Sequence, residues 1–133
     1  MEGCVFCRIA DRRSSAYIVE ETQDFLCFFP IKPDCFGHVL IVSRKHFPNI
    51  IDCPPELGAG LFEVAQALFR RYRDRFGATG FNLLNANGQS AGQSVDHLHF
   101  HFLPRFANDG LNAWPDFPVV EADLDDWFER LMC

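Results

Sequence analysis

The stretch His97-Leu98-His99-Phe100-His101-Phe102-Leu103 decides how this chain is read. Successive side chains of a β-strand point to opposite faces. This order therefore puts His97, His99 and His101 on one face and Leu98, Phe100 and Phe102 on the other. The apolar face suits a core. The other face sets three imidazoles in register, each with two ring nitrogens that need partners if hidden from water, and burial alone does not call for that. Three of the chain's five histidines lie here.

Upstream, Asn87-Gly88-Gln89-Ser90-Ala91-Gly92-Gln93-Ser94 is a run of small and amide residues. It adds nothing to a core, but it can bring backbone N–H groups close to a ligand, and it feeds directly into the histidine strand. Phe81 to Asn85 before it reads as another strand. Downstream, Pro104 is expected to end the histidine strand, and Arg105 is a phosphate partner or a surface residue. Residues 107 to 118 form an irregular segment whose Trp114 either closes over a ligand or anchors the tail. Leu124, Trp127, Phe128 and Leu131 then recur at the spacing of a short amphipathic helix.

Further upstream, Leu57, Leu61, Val64, Ala65, Leu68 and Tyr72 repeat at helical spacing. They predict one long helix that starts near Asp52-Cys53-Pro54-Pro55-Glu56 and is stopped by Gly77. The cluster Arg70-Arg71-Tyr72-Arg73-Asp74-Arg75 reads as cations on the solvated end of that helix rather than as an anion site. Residues 16 to 20 and 25 to 29 read as two strands joined by a turn, and His38 to Val42 as a third, with His46 just beyond its end. Cys4 and Cys7 form a Cys-x-x-Cys that suits a metal or a redox pair. A redox motif belongs after a buried strand, and none precedes Cys4, so the context favours metal if histidines complete the set.

Length and composition bound the reading. The 133 residues, 48% hydrophobic with 15 phenylalanines, fit one domain spanning 1–133 around a single core, its main part at residues 4–105 and a C-terminal tail at 106–133. No apolar run approaches the roughly 20 residues of a membrane span, and the N-terminal residues do not resemble a secretory signal; a cytoplasmic protein without a membrane partner is expected. A net charge of −6 disfavours an extended nucleic-acid partner but leaves room for one small phosphate compound in a local pocket. The six cysteines read as thiols in a reducing compartment.

Two chemistries suit the three histidines. A neutral imidazole can attack phosphorus and form a covalent intermediate, with its second nitrogen held by an acceptor and the Gly-containing loop donating to the phosphoryl oxygens. Three alternating histidines can equally ligate a metal, with an open position for an activated water. Spacing alone leaves both open.

The histidine stretch resembles the signature of the histidine triad (HIT) family, His-φ-His-φ-His-φ-φ with φ apolar, and Gly92-Gln93-Ser94-Val95 matches the segment that introduces it. Gly37-His38-Val39-Leu40-Ile41-Val42-Ser43-Arg44-Lys45-His46 is similar to the family's Gly-His-x-Leu-Ile-x-Pro-Lys-x-His, with Ser43 where proline is common. The resemblance, from Cys4 to about Arg105, implies an α+β, HIT-like fold with a five-stranded antiparallel sheet, one long helix and short terminal helices, commonly in a homodimer. It implies nucleotide hydrolysis or transfer on a nucleoside phosphoramidate or dinucleoside polyphosphate. His99 would attack the α-phosphorus, and His97, His101 and Ser94 would assist. Asn87, Gly92, Gln93 and Ser94 would line the substrate site with His99 and His101, and a purine nucleotide is the implied ligand. In the branch that begins with Cys-x-x-Cys, the Hint-like zinc-containing one, the resemblance implies a structural zinc (Zn2+) on Cys4, Cys7, His46 and His97.

Two positions depart from the family pattern. Where an aspartate commonly binds the ribose hydroxyls the chain has Pro30, whose ring cannot accept those bonds, so nucleoside recognition is expected to be weaker or differently built. Where the family has an asparagine the chain has Ala86, flanked by Asn85 and Asn87. A nucleotide-binding regulatory or scaffold protein with little turnover is the alternative that Pro30 motivates, and a histidine-based metalloenzyme is the other.

Overall fold

A computed structural model describes residues 3–133. Five strands, β1 (Ile18–Glu21), β2 (Phe25–Phe28), β3 (Val39–Ser43), β4 (Gly80–Leu84) and β5 (His99–Arg105), form one antiparallel sheet in the order β1-β2-β3-β5-β4. Helices α1 (Val5–Ala10), α2 (Gly58–Phe76) and α3 (Leu124–Met132) complete the chain. Strands β1 to β3 form a meander. The chain then crosses through α2 to the far edge as β4 and returns as β5 between β4 and β3. The expected sheet, long helix and short terminal helices are all present.

Residues paired across antiparallel strands share a face, so the register divides the sheet in two. Phe25, Cys27, Val39, Ile41, Phe100 and Phe102 face α2 and pack against its Leu61, Val64, Leu68 and Tyr72. Leu26, Phe28, Leu40 and Val42 face the other way, where α1 covers them with Phe6 and Ile9. His99 and His101 belong to this second face, opposite Val42 and Leu40. The alternation in the quoted stretch thus feeds two different layers.

Three expectations need correction. The histidine strand begins at His99 rather than His97, because residues 95 to 97 form a bend ahead of it. It also runs through Pro104 to Arg105: the last pair with β3 is Val39–Phe102, so at Pro104 only β4 lies alongside, and a missing N–H is tolerated there. The long helix starts at Gly58 instead of near Asp52. The segment ahead of it breaks into two single 3-10 turns, Ile50–Asp52 and Pro55–Leu57, and Asn49 rather than Asp52 caps the first by accepting from the Ile51 N–H. Gly77 ends α2 in the left-handed conformation, as expected.

Gly37 is needed where it stands. Its φ is +78°, and a Cβ there would meet Pro104 Cγ and Tyr72 Cε1 at 2.8 Å each. The Tyr72 hydroxyl donates to the Gly37 carbonyl at 2.8 Å, so a residue of α2 fixes the backbone just before His38. The tail behaves differently. Arg105 holds both carboxylate oxygens of Asp109 at 2.8 and 2.9 Å, donates to Asn82 Oδ1, and bonds the Leu111 carbonyl. It is a structural clamp, not a phosphate partner. Trp114 is 70% exposed, so it does not anchor the tail on the core. Asp123 caps α3 by accepting from the Asp126 N–H, yet no residue of α3 is buried.

Candidate active site and metal centre

Two clusters share the face opposite α2. In the first, Cys4 stands at the N-cap of α1 and Cys7 in its first turn, and both lie against His46, just past β3, and His97, in the bend before β5. Cys4 Sγ lies 3.3 Å from His97 Nδ1, Cys7 Sγ 3.3 Å from His46 Nδ1 and 3.5 Å from His97 Nδ1, and the two Nδ1 atoms are 3.1 Å apart. All four donor atoms fall within 4.8 Å of one another. Tetrahedral zinc with two thiolates and two imidazoles would set donor–donor separations of about 3.3–3.8 Å, so the set fits with little adjustment. The other nitrogen of His97, Nε2, donates to the Ser43 carbonyl at 2.6 Å, which fixes the ring and leaves Nδ1 as the free ligand atom. Ser43 takes this role from within β3, whose last residue it is.

In the second cluster His99, 7% exposed, has Nδ1 2.7 Å from the His97 carbonyl. Only a protonated Nδ1 can bond a carbonyl, so the lone pair of His99 sits on Nε2. His101 is fixed through His38. The Asp34 N–H donates to His38 Nδ1 at 3.0 Å, so His38 carries its proton on Nε2, which donates to His101 Nδ1 at 2.9 Å. His101 is thereby left with a proton on Nε2. Burial pushes both His38 and His101 below the usual imidazole range, so the pair is neutral near pH 7; for His101 the neighbouring imidazoles of His38 and His99 add to the effect. The Phe6 ring stands edge-on to both His97 and His99, with centroids 5.7 and 5.1 Å apart, and joins the two clusters.

The loop residues divide into braces and candidates for contact. Gln93 is a brace: its Oε1 accepts from the Gly88 N–H, and its Nε2 donates to the carbonyls of Pro48 and Val95. Asn87 accepts from the Ile50 N–H and donates to Asn85, whose own Nδ2 donates to the His99 carbonyl at 2.8 Å. Asn85, not Asn87, therefore touches the backbone of the central histidine. Gly92 closes a 3-10 turn at a φ of +83°, and Ser94 is exposed ahead of the bend. Sequence reasoning missed His38, although a histidine opening an otherwise apolar strand is a polar ring that must find a partner. It also missed Phe6, for which the sequence holds no signal.

A cleft of about 820 Å3 opens beside the histidines. Phe6 and Ile9 of α1 form one wall, Phe28, Phe29 and Pro30 at the end of β2 form another, and Leu40 forms the floor. Leu40 pairs with His101 across the sheet and Phe6 edges onto His99, so the cleft shares these two lining residues with the surroundings of the imidazoles. The cysteines outside the first cluster play no part in it. Burial in the opposite face pushes the Cys27 thiol up to about 12, and all six cysteines are unpaired.

An antiparallel sheet that carries a cluster of hydrogen-bonded histidines beside a Cys2His2 set that could hold a metal ion defines a narrow class of protein. The HIT domain family profile matches residues 12–108, and the chain belongs to the HIT family. It is 36% identical over 127 residues to Protein hit of Bacillus subtilis, covering 95% of this chain and 84% of that one. It is 32% identical over 124 residues to adenosine 5'-monophosphoramidase HNT1 of Saccharomyces cerevisiae, covering 92% of this chain and 75% of that one. Among solved structures, a Zn-bound histidine triad family protein from Mycobacterium smegmatis superposes with a TM-score of 0.78 at 34% identity, covering 86% of this chain and 84% of that one.

Proposed function

We propose that the chain hydrolyses or transfers a nucleotidyl group from a nucleoside phosphoramidate or dinucleoside polyphosphate, with His99 as nucleophile. The observation that carries this reading is the His99 Nδ1 contact with the His97 carbonyl, which leaves the Nε2 lone pair for attack. Similarity to the yeast phosphoramidase supports the reaction class. His99 Nε2 bonds to the α-phosphorus while the P–N bond breaks. The departing nitrogen keeps the electron pair, takes one proton from solvent and leaves as the amine. Water then attacks phosphorus, gives up a proton and breaks the Nε2–P bond, releasing the nucleoside monophosphate and restoring His99.

The other residues assist. His101 donates its Nε2–H to a phosphoryl oxygen, His38 holds it in that tautomer, and backbone N–H groups and Ser94 of the 88–94 loop bind the remaining oxygens. The cleft takes the purine nucleoside. Cys4, Cys7, His46 and His97 would hold a structural zinc. A four-ligand set without an open position suits tethering rather than water activation, and it draws His97, whose carbonyl orients His99, into a fixed position. A cytoplasmic location and a homodimer complete the proposal. β4 lies at an edge of the sheet with Phe81 39% exposed, and sedimentation velocity would read the dimer directly. The reaction is tested by release of AMP from adenosine 5′-phosphoramidate. Turnover is expected from the wild type and its loss from His99→Ala at equal folded concentration. Equal turnover in both would refute His99 as nucleophile.

A further inference from the structure

Resting on the proposed reaction, the cleft beside His99 and His101 takes whatever organic group is attached to the phosphorus, and its wall shows how that group is read. Of its lining residues, Val5, Phe6, Ile9, Phe28, Phe29 and Pro30 are among the apolar majority; no carboxylate, amide, imidazole or cation is present. The only side-chain polar groups are the hydroxyls of Ser14, Ser15 and Tyr17. All three residues stand at the solvent side: Tyr17 is 81% exposed, Ser15 exposed and Ser14 half-buried. The acids nearest in sequence face elsewhere. Asp34 directs its carboxylate at His38, 3.9 Å from Nδ1, and Asp11 pairs with Arg13. Among the described residues, no buried side-chain nitrogen or oxygen lacks a partner, so none waits for a sugar hydroxyl.

This wall limits what the site can discriminate. A pocket rejects an analogue lacking a hydroxyl by about 10⁴-fold or more only when a buried polar group would be left unpaired. Exposed hydroxyls simply return to water, and an apolar wall gains area from the ligand whether or not a diol is present. The volume of about 820 Å3 is that of a site for a molecule of nucleotide size, and Phe29, 40% exposed, offers aromatic surface to a flat ring.

We infer that the cleft recognises the flat aromatic base by apolar contact and does not read the sugar's vicinal diol, so that 2′-deoxy- and 2′,3′-dideoxynucleotides are substrates on the same footing as ribonucleotides. The test has a binding arm and a turnover arm. Calorimetric titration compares AMP, 2′,3′-dideoxy-AMP and ribose 5-phosphate; hydrolysis compares the adenosine and 2′,3′-dideoxyadenosine 5′-phosphoramidates. Both the affinity and the kcat/KM of the dideoxy compounds are expected within about tenfold of their ribose counterparts. Ribose 5-phosphate should bind at least a hundredfold more weakly than AMP. Phe29→Ala, a change at a residue 40% exposed, should weaken AMP and dideoxy-AMP by the same factor.

A larger deficit for the dideoxy compounds would overturn the inference, as would ribose 5-phosphate binding like AMP, or Phe29→Ala leaving both affinities unchanged. Equal binding of the two monophosphates with no turnover of either phosphoramidate would defeat the hydrolase reading alone and leave the recognition standing. Failure of all three ligands to bind would defeat both.

Discussion

The two faces of the sheet are made by the same five strands, often by adjacent residues, and are finished in opposite ways. Against α2 the side chains form a continuous apolar layer in which Phe102, Val39, Ile41 and Cys27 have no accessible surface. Against α1 the cover is a helix of six residues, too short to close the face; its Phe6 packs on His97 and His99, and a cleft opens beside it. One long amphipathic helix therefore carries the stability of the fold. The short one leaves a cleft open beside it and is held by its buried Phe6 and Ile9. Alternation within the stretch 97–103 links the two, since Phe100 and Phe102 anchor the strand from behind while His99 and His101 lie on the opposite face.

If this division is real, substitutions should separate by face. Phe102→Ala, in the α2 layer and stacked on Phe81 with centroids 4.9 Å apart, should lower unfolding free energy by about 3–5 kcal/mol. In urea titration it should leave the KM of the molecules that remain folded unchanged. A similar loss is expected on the other face only where metal does the holding. Cys4→Ser with Cys7→Ser should abolish bound zinc by elemental analysis and lower the melting temperature. A site that binds the folded state alone contributes about 4 kcal/mol at free metal 1,000 times Kd. Unchanged zinc content would remove the metal from the account.

Gly37→Ala probes a residue through which Tyr72 of α2 holds the segment that carries His38. Forcing a side chain into a positive φ and against Tyr72 and Pro104 should cost about 1–3 kcal/mol. Because Gly37 carries His38, turnover should fall as well, unlike in Phe102→Ala. The pH response is smaller and has a definite sign. His38 and His101 are buried neutral with pKa values below the unfolded 6.5, so their contribution is full above pH 6.5 and is lost as the pH falls below it, when the unfolded chain takes up protons more readily. Urea stability measured between pH 7 and 5 should drop, and His38→Gln should flatten that drop. Arg130→Ala, which breaks an exposed pair on the uncovered α3, should change stability by less than about 0.5 kcal/mol.

The sequence shows more of the scaffold than of the site's wiring. Helical spacing from Leu57 to Tyr72 and alternation from Leu98 to Phe102 reveal a long helix and a strand of two faces, because burial imposes those periods. Strand ends move by one or two residues, since pairing rather than composition sets them: Pro104 lies inside β5 only because β3 stops short. Cys4, Cys7, His46 and His97 could be grouped by resemblance, and their convergence is a fact of three dimensions. The hydrogen bonds that choose tautomers, from Asp34 through His38 to His101 and from His99 to the His97 carbonyl, run between backbone and ring atoms and leave no residue pattern. The same holds for Gln93 and Asn87, whose amides look available in sequence and are occupied by the loop itself. For the tail the spacing of Leu124, Trp127, Phe128 and Leu131 correctly gives a helix but says nothing of what it packs on, and none of its residues is buried.

The central claim is that the open face presents His99 Nε2 to phosphorus. Its most direct test is an acid-free quench of wild-type protein during turnover of adenosine 5′-phosphoramidate, followed by intact-mass and peptide analysis. The account predicts a covalent adenylyl adduct mapping to His99, absent from His99→Ala. Steady turnover by the wild type with no adduct under single-turnover conditions, or an adduct on another residue, would contradict it.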